Sequence, residues 1–169
     1  MIYISCIKIF QNGKAPQSVS TDGGDTWIRT PSQFPSISSG RRFTLLRLRY
    51  SPELGEYPGV APILFIGFAS DGFMGKSGEG TIVPIEGLFA AISFDEGKTW
   101  EKRHRRVISN LRGKAELDLV IAPWQRTHTL GVDRGQGEGY MTATQTPDGL
   151  IHITDAKIVY TFNLAWILE

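Results

Sequence analysis

Short apolar runs separated by turn residues recur along most of the 169-residue chain. Runs such as "RFTLLRL", "PILFIGFAS", "GLFAAISF" and "LIHITDAKIVYTF" are each bounded by glycine, proline or polar residues, which is typical of β-strands. The nearest approach to a helical period, "KAELDLVIAPW" from Lys114, contains Pro123 and β-branched residues that disfavour a helix. In "TPDGLIHI", Asp148 and Gly149 separate two extended runs and predict a hairpin. The pattern therefore predicts an all-β fold.

One eight-residue phrase occurs twice, first as "STDGGDTW" and later as "SFDEGKTW". The repeated positions are Ser20, Asp22, Gly24 and Trp27 in the first copy and Ser93, Asp95, Gly97 and Trp100 in the second. In each copy the carboxylate can accept backbone amides of a tight turn, the serine can bond locally in the same loop, and the glycine permits a conformation that other residues resist. Each tryptophan is expected to begin the next strand and to pack into the layer below. The phrase predicts a structural hairpin turn that needs no substrate.

The pattern S-x-D-x-G-x-T-W resembles the Asp-box of the sialidase-like family, also called the bacterial neuraminidase repeat. In that family the box lies between the third and fourth strands of a β-propeller blade, away from the catalytic pocket. The resemblance therefore implies a single partial propeller domain over residues 1–169, equivalent to the C-terminal half of a propeller of about six blades. We expect about three blades: a remnant over about 1–36, a complete blade over about 41–109 and a partial blade over about 138–169.

Propellers close with about four to eight blades, more than this chain supplies. Either the chain is a fragment of a longer protein, or two copies form a homodimer that completes the ring. The inner strands "RFTLLRL" and "YMTATQT" and the apolar tail "NLAWILE" are expected to leave apolar surface exposed, as an interface or a truncation would.

The resemblance also implies where a functional site would lie. A sialidase uses cations to bind the substrate carboxylate, an Asp as acid/base and a Tyr nucleophile activated by a Glu. Arg41 and Arg42 stand at the start of the innermost strand of the complete blade and are candidate substrate-binding residues, because a guanidinium meets a carboxylate with two parallel hydrogen bonds. Tyr140, with Glu138 nearby, occupies the corresponding place in the next blade as a candidate catalytic pair. Exposed loop arginines and a pocket-wall tyrosine are the alternatives, and Asp71 fits a turn better than an acid/base role.

Composition and charge exclude several other classes. The formal net charge of +1 provides no field for nucleic acid or an anionic membrane, and no apolar run has the roughly 18 residues of a membrane span. One cysteine, Cys6, excludes an intrachain disulfide, and the histidines are too widely spaced to predict a metal site, so no metal or cofactor is expected. We expect no signal peptide in "MIYISCIKIF", although the family resemblance suggests a secreted or periplasmic protein. The cationic run "KRHRR", Lys102 to Arg106, predicts a solvated outer edge strand, and a surface that attracts phosphate or acidic glycans is the alternative.

Three functional classes remain open on the sequence. The first is a retaining exo-glycosidase of sialidase type that acts on terminal acidic sugars. The second is a propeller of the same lineage that binds glycans without cleaving them, and the third is a scaffold without a ligand. An arginine triad with an intact Tyr/Glu pair would favour the first class, and arginines without the pair would favour the second.

Overall fold

A computed structural model describes residues 2–4, 13–37, 41–49, 61–70, 72–109, 117–119, 128–155 and 158–169. Within these residues, strands form nearly all of the regular structure, and the only α-helix has five residues. The prediction of an all-β fold is confirmed. In chain order the strands are β1 (Ile2–Ile4), β2 (Lys14–Val19), β3 (Ile28–Pro35), β4 (Arg41–Arg42), β5 (Thr44–Arg47), β6 (Ile63–Ala69), β7 (Met74–Lys76), β8 (Ile82–Pro84), β9 (Gly87–Ser93), β10 (Arg105–Val107), β11 (Leu117–Leu119), β12 (His128–Leu130), β13 (Gly139–Tyr140), β14 (Thr142–Gln145), β15 (Ile151–Thr154) and β16 (Val159–Phe162). Helix α1 spans Leu164–Leu168, and a 3₁₀ helix spans Lys102–His104.

The largest sheet, called here the central sheet, has the strand order β5-β6-β9-β10-β7-β8. Its first four strands in that order pair antiparallel with their neighbours. The β7–β8 hairpin is inserted between β6 and β9, and β7 pairs with β10 in parallel, with Arg106 opposite Lys76. All of β9 is buried, because its side chains are covered on both faces of the sheet.

A three-stranded antiparallel sheet lies on each side of the central sheet. The N-terminal sheet has the order β1-β2-β3, and the C-terminal sheet has the order β14-β15-β16. Two further pairs are antiparallel β11–β12 and parallel β13–β4.

Alternation along β6 and β9 creates two separate cores, because successive side chains of a strand point to opposite faces. Toward the C-terminal sheet, the buried cluster includes Leu64, Ile66, Phe68, Leu88, Ala90, Ile92, Ile151, Ile153, Tyr160 and Phe162. Toward the N-terminal sheet, the cluster includes Ala15, Phe34, Phe65, Phe73, Phe89, Ala91, Trp100 and Val107. In the second cluster the rings of Phe34 and Phe65 stack with centroids 3.9 Å apart. The three sheets are therefore layered, with the central sheet in the middle.

The predicted hairpin at Asp148 and Gly149 is confirmed as the connection between β14 and β15. The amide of Thr146 donates to the carbonyl of Leu150 at 2.9 Å, and the Thr146 hydroxyl donates to the Asp148 carboxylate at 2.5 Å. Gly149 has a φ of 85°, which explains the glycine at this position.

The prediction of a solvated edge at Lys102 to Arg106 is wrong for its second half. His104, Arg105 and Arg106 are buried, because β7 covers β10 and removes it from the sheet edge. Arg105 donates to the Trp100 carbonyl at 2.5 Å and to Gln33 Oε1 at 3.1 Å, and its guanidinium lies over the Phe73 ring. Burial lowers the pKa of Arg105.

The expectation of an exposed apolar tail is also wrong. Residues 164–168 form α1 instead of a strand, with Leu164 and Ile167 buried in the core. Lys76 Nζ donates to the carbonyls of Ile167 and Leu168, and Arg106 donates to the Trp166 carbonyl while lying over its indole ring. Two cations therefore satisfy the last carbonyls of α1, where the helix dipole favours positive charge.

Candidate functional site

The first copy of the repeated phrase, called here the first Asp-box, forms the connection between β2 and β3, and its carboxylate accepts hydrogen bonds from within the turn. The Asp22 carboxylate accepts the Ser20 hydroxyl at 2.7 Å, the Thr26 amide at 3.0 Å and the Thr26 hydroxyl. The Ser20 hydroxyl in turn accepts the Gly24 amide at 2.8 Å. These bonds, with the Thr26 hydroxyl contributing most, lower the pKa of Asp22 well below its usual value.

The second Asp-box connects β9 and β10 and repeats this arrangement. The Asp95 carboxylate accepts the Ser93 hydroxyl at 2.8 Å, and it accepts the amide and hydroxyl of Thr99 at 2.9 and 2.6 Å. The Ser93 hydroxyl accepts the Gly97 amide at 2.8 Å. Partial burial raises the pKa of Asp95, but the bonds from Thr99 and Ser93 outweigh it and hold the pKa below its usual value.

The tryptophans of the two boxes differ in burial. Each indole Nε1 donates to the carbonyl of its own box glycine, Trp27 to Gly24 at 2.9 Å and Trp100 to Gly97 at 3.0 Å. Trp100 is only 2% exposed, because it packs against Phe34 and Phe65 between the central and N-terminal sheets. Trp27 remains 42% exposed, so the expectation that both tryptophans pack into a layer below is wrong for the first box.

The sequence-predicted site residues come together where β4 and β13 pair. The parallel register places Arg41 opposite Gly139 and Arg42 opposite Tyr140. We call Arg41, Arg42 and Tyr140 the arginine–tyrosine surface. Tyr140 is far from the two arginines in sequence, and the strand pairing brings it beside them, with the Arg42 guanidinium over its ring.

The two arginines are held differently. Arg41 is half-buried, its Nε donates to the Gly137 carbonyl at 2.6 Å, and its guanidinium carbon lies 5.6 Å from the Phe68 ring centroid. Arg42 is exposed, and its guanidinium carbon lies 4.9 Å from the ring centroid of Tyr140. Arg41 is thus fixed by the protein, whereas Arg42 lies at the surface on the tyrosine.

The candidate catalytic pair is incomplete in geometry. Tyr140 is 61% exposed. Within the described residues, no hydrogen bond joins the Glu138 carboxylate to the Tyr140 hydroxyl; Glu138 instead uses its backbone carbonyl, which accepts Gln136 Nε2 at 2.5 Å. Asp71 lies outside the described residues.

The sequence did not reveal a buried polar cluster beside this surface. Gln136 is 0% exposed; its Nε2 donates to Asp155 Oδ2 at 2.6 Å and its Oε1 accepts the Tyr160 hydroxyl at 2.9 Å. We call Gln136, Asp155 and Tyr160 the amide network. Burial, together with the charge of Asp155, raises the pKa of Tyr160 to about 12. The only sequence signal was a glutamine between two glycines, shortly before the strand that begins at Gly139.

Comparison with protein-family models, with curated proteins and with solved structures finds no match to this chain.

Other chemistry among the described residues is limited. No group of three or more His, Cys, Asp or Glu side chains there is placed to hold a metal ion. No helix in the same residues has the length and apolar character needed to cross a membrane. A pocket of about 230 Å³ is lined by Gly78, Glu79, Gly80, Arg106 and Glu169, on the α1 side of the central sheet.

Proposed function

We propose that this chain is part of a sialidase-like Asp-box propeller whose arginine–tyrosine surface binds terminal acidic sugars. The layering of the three sheets supports the propeller interpretation, with both boxes in strand connections. The first strands of adjacent sheets also lie together: the Thr44 hydroxyl donates to the Met141 carbonyl at 2.6 Å, and the Arg49 amide donates to Gln145 Oε1 at 2.7 Å. Such contacts are expected where the inner strands of neighbouring blades meet.

The parallel register of β4 and β13 carries the ligand proposal. It places the Arg42 guanidinium, which suits a carboxylate, over an exposed aromatic ring that can pack against the apolar face of a sugar. Arg41 precedes Arg42 on the same strand, with its guanidinium over the Phe68 ring. The pairing of a charge-binding group with a ring-stacking group favours an acidic sugar over a neutral one.

Binding without cleavage fits the geometry better than hydrolysis. A tyrosine nucleophile needs a neighbouring base within hydrogen-bond reach. The Glu138 carboxylate does not hydrogen-bond the Tyr140 hydroxyl, and Arg42 is the group that contacts the ring. Sialidase-type hydrolysis is therefore the second candidate, and the Tyr140→Phe variant described below tests it.

Calorimetry with sialyllactose as the acidic probe and lactose as its neutral control tests the proposal. We expect the wild-type protein to bind sialyllactose, and Arg41→Ala or Arg42→Ala to weaken binding by about 1.5–3 kcal/mol, the range for a charge-assisted hydrogen bond. Arg29→Ala, an exposed arginine of β3 in the N-terminal sheet, is the matched control and should leave binding unchanged. Equal binding of both sugars, or no effect of either site variant, would contradict the proposal.

Tyr140→Phe separates binding from hydrolysis. The ring is kept while the hydroxyl is removed, so a binding surface should retain its affinity for sialyllactose. Release of sialic acid by the wild-type protein that disappears in Tyr140→Phe would replace the binding proposal with a retaining glycosidase.

The proposal includes a homodimer that completes the ring. Exposed Trp27 and Ile28 at one end of the layered sheets, and Val159 at the other, are apolar groups that a second copy would cover. Light scattering should then give the mass of a dimer, and Trp27→Ser combined with Ile28→Thr should shift it toward the monomer. A monodisperse wild-type monomer with a cooperative melt would exclude ring completion by a second copy.

A further inference from the structure

Gln136 lies at the centre of contacts that join the C-terminal sheet to the arginine–tyrosine surface. Its backbone carbonyl accepts the Leu88 amide of β9 at 2.8 Å, which ties the segment to the central sheet. Its side chain reaches Asp155 and Tyr160 of the C-terminal region, as well as the Glu138 carbonyl directly before β13. The residue therefore bonds the central sheet, the C-terminal sheet and the segment directly before β13.

The chemistry of the amide matches this environment. A carboxamide has two N–H donors and one carbonyl acceptor, and here two acceptors face the nitrogen while one donor faces the oxygen. The Tyr160 hydroxyl remains a donor over the ordinary pH range because its pKa is raised to about 12, first by burial. A glutamate at position 136 would place a carboxylate oxygen, which cannot donate a hydrogen bond, against two other acceptors, the Glu138 carbonyl and the Asp155 carboxylate.

The backbone beside the amide leaves little freedom for adjustment. Gly139 has a φ of 149°, and a Cβ built there would lie 2.9 Å from Gln136 Nε2 and 2.8 Å from Asp155 Oδ2. The amide network thus packs directly against the first residue of β13. The Gly137 carbonyl, between Gln136 and the held Glu138 carbonyl, accepts Arg41 Nε.

We infer that Gln136 is a positioning residue for the arginine–tyrosine surface: its carboxamide fixes residues 137–140, and through them the orientation of Arg41 and of Tyr140 beside Arg42. The inference rests on the proposed function only for the identity of the ligand. The geometric part concerns Arg41 and can be measured without any sugar.

Nuclear magnetic resonance of the arginine Nε–H groups gives that measurement. The Arg41 Nε–H signal is assigned by its loss in Arg41→Lys, and its exchange with water reports the hydrogen bond to Gly137. We expect Gln136→Glu to speed this exchange by about tenfold, the factor for losing roughly one hydrogen bond. Ile151→Val is the matched control, since it trims the buried core of the same C-terminal sheet without touching the amide network, and it should leave the exchange unchanged.

A second variant keeps the inference testable if Gln136→Glu does not fold. Tyr160→Phe removes only the hydroxyl that orients the amide, and we expect a change in Arg41 exchange of about threefold in the same direction. Unchanged Arg41 exchange in a folded Gln136→Glu protein would overturn the inference, as would unchanged exchange in Tyr160→Phe when Gln136→Glu does not fold.

Sialyllactose titration then separates the two proposals. If the wild-type protein binds the sugar, Gln136→Glu should bind it about tenfold more weakly than the Ile151→Val control. If no sugar binds but Arg41 exchange responds to Gln136→Glu, the sugar-binding function fails while the positioning role stands. If the wild-type protein binds the sugar, equal affinity in Gln136→Glu and Ile151→Val would overturn the positioning role.

Discussion

The two Asp-boxes make the same carboxylate hydrogen bonds but differ in how deeply their tryptophans are buried. Each carboxylate accepts a threonine amide and hydroxyl, but only the second box anchors a buried tryptophan. The residue before the box glycine has a positive φ in both boxes, 81° at Gly23 and 61° at Glu96, but it is a glycine only in the first. Glu96 adopts a conformation that disfavours most side chains, and its ion pair with Arg47 at 2.5 Å offsets part of that cost.

Removing the carboxylate should therefore cost more in the second box than in the first. We expect Asp95→Ala to lower the free energy of unfolding by about 1–3 kcal/mol, because three donors lose their acceptor and the Trp100 anchor loosens. Asp22→Ala removes the same bonds beside an exposed tryptophan and should cost less. Chemical denaturation of both variants measures the difference. Sugar affinity should be unaffected because, among the described residues, no hydrogen bond or ring contact joins either box to the arginine–tyrosine surface. Equal losses in the two variants would show that the tryptophan anchor does not matter.

At the level of elements, the sequence pattern identified the apolar strands but missed the inserted β7–β8 hairpin. The runs that became β6, β9 and β15 are continuous or alternating, so local periodicity identified them. The β7–β8 hairpin was missed because its strands have three residues each and glycine at the centre of β7. Helix α1, with five residues, is too short to show a helical period.

The wrong prediction that the second half of Lys102 to Arg106 is solvent-exposed follows from the missed β7–β8 hairpin. Whether "KRHRR" is exposed depends on what pairs with β10, and its partner β7 lies well before it in the chain. The charge of this run therefore predicted an exposed edge strand, but β7 covers that edge. Backbone carbonyls and aromatic rings contact the buried guanidinium groups of Arg105 and Arg106, and the Glu169 carboxylate lies 4.0 Å from Arg106; no local pattern reveals these contacts.

Part of the candidate site was also predictable from the sequence, and part was not. Arg41, Arg42 and Tyr140 were identifiable because each stands at the beginning of a strand, and the strand pairing then placed them together. The amide network was not identifiable, since its three members come from a loop, a strand end and a neighbouring strand. Long-range polar contacts of this kind depend on the complete fold and leave no periodic signal.

At the level of the whole molecule, the central sheet couples the two outer sheets. One face of β6 and β9 packs on the C-terminal sheet and the other on the N-terminal sheet, so neither outer sheet can detach without exposing central apolar side chains. Phe34 and Ile153 are fully buried representatives of the two cores. The layering implies a single cooperative unit despite the two separate clusters.

Small core truncations on opposite sides should consequently lower the same unfolding transition. We expect Phe34→Leu and Ile153→Val to cost about 1–2 kcal/mol each, and their effects to add because the two side chains occupy different clusters. Denaturation followed by tryptophan fluorescence and by far-UV circular dichroism should give coincident curves for both variants, with unchanged slopes. Thr161→Ser, on the exposed face of β16, is the control and should leave the midpoint unchanged. Two separated transitions, with each core variant moving only one of them, would show that the outer sheets unfold independently and that the layers do not form one unit.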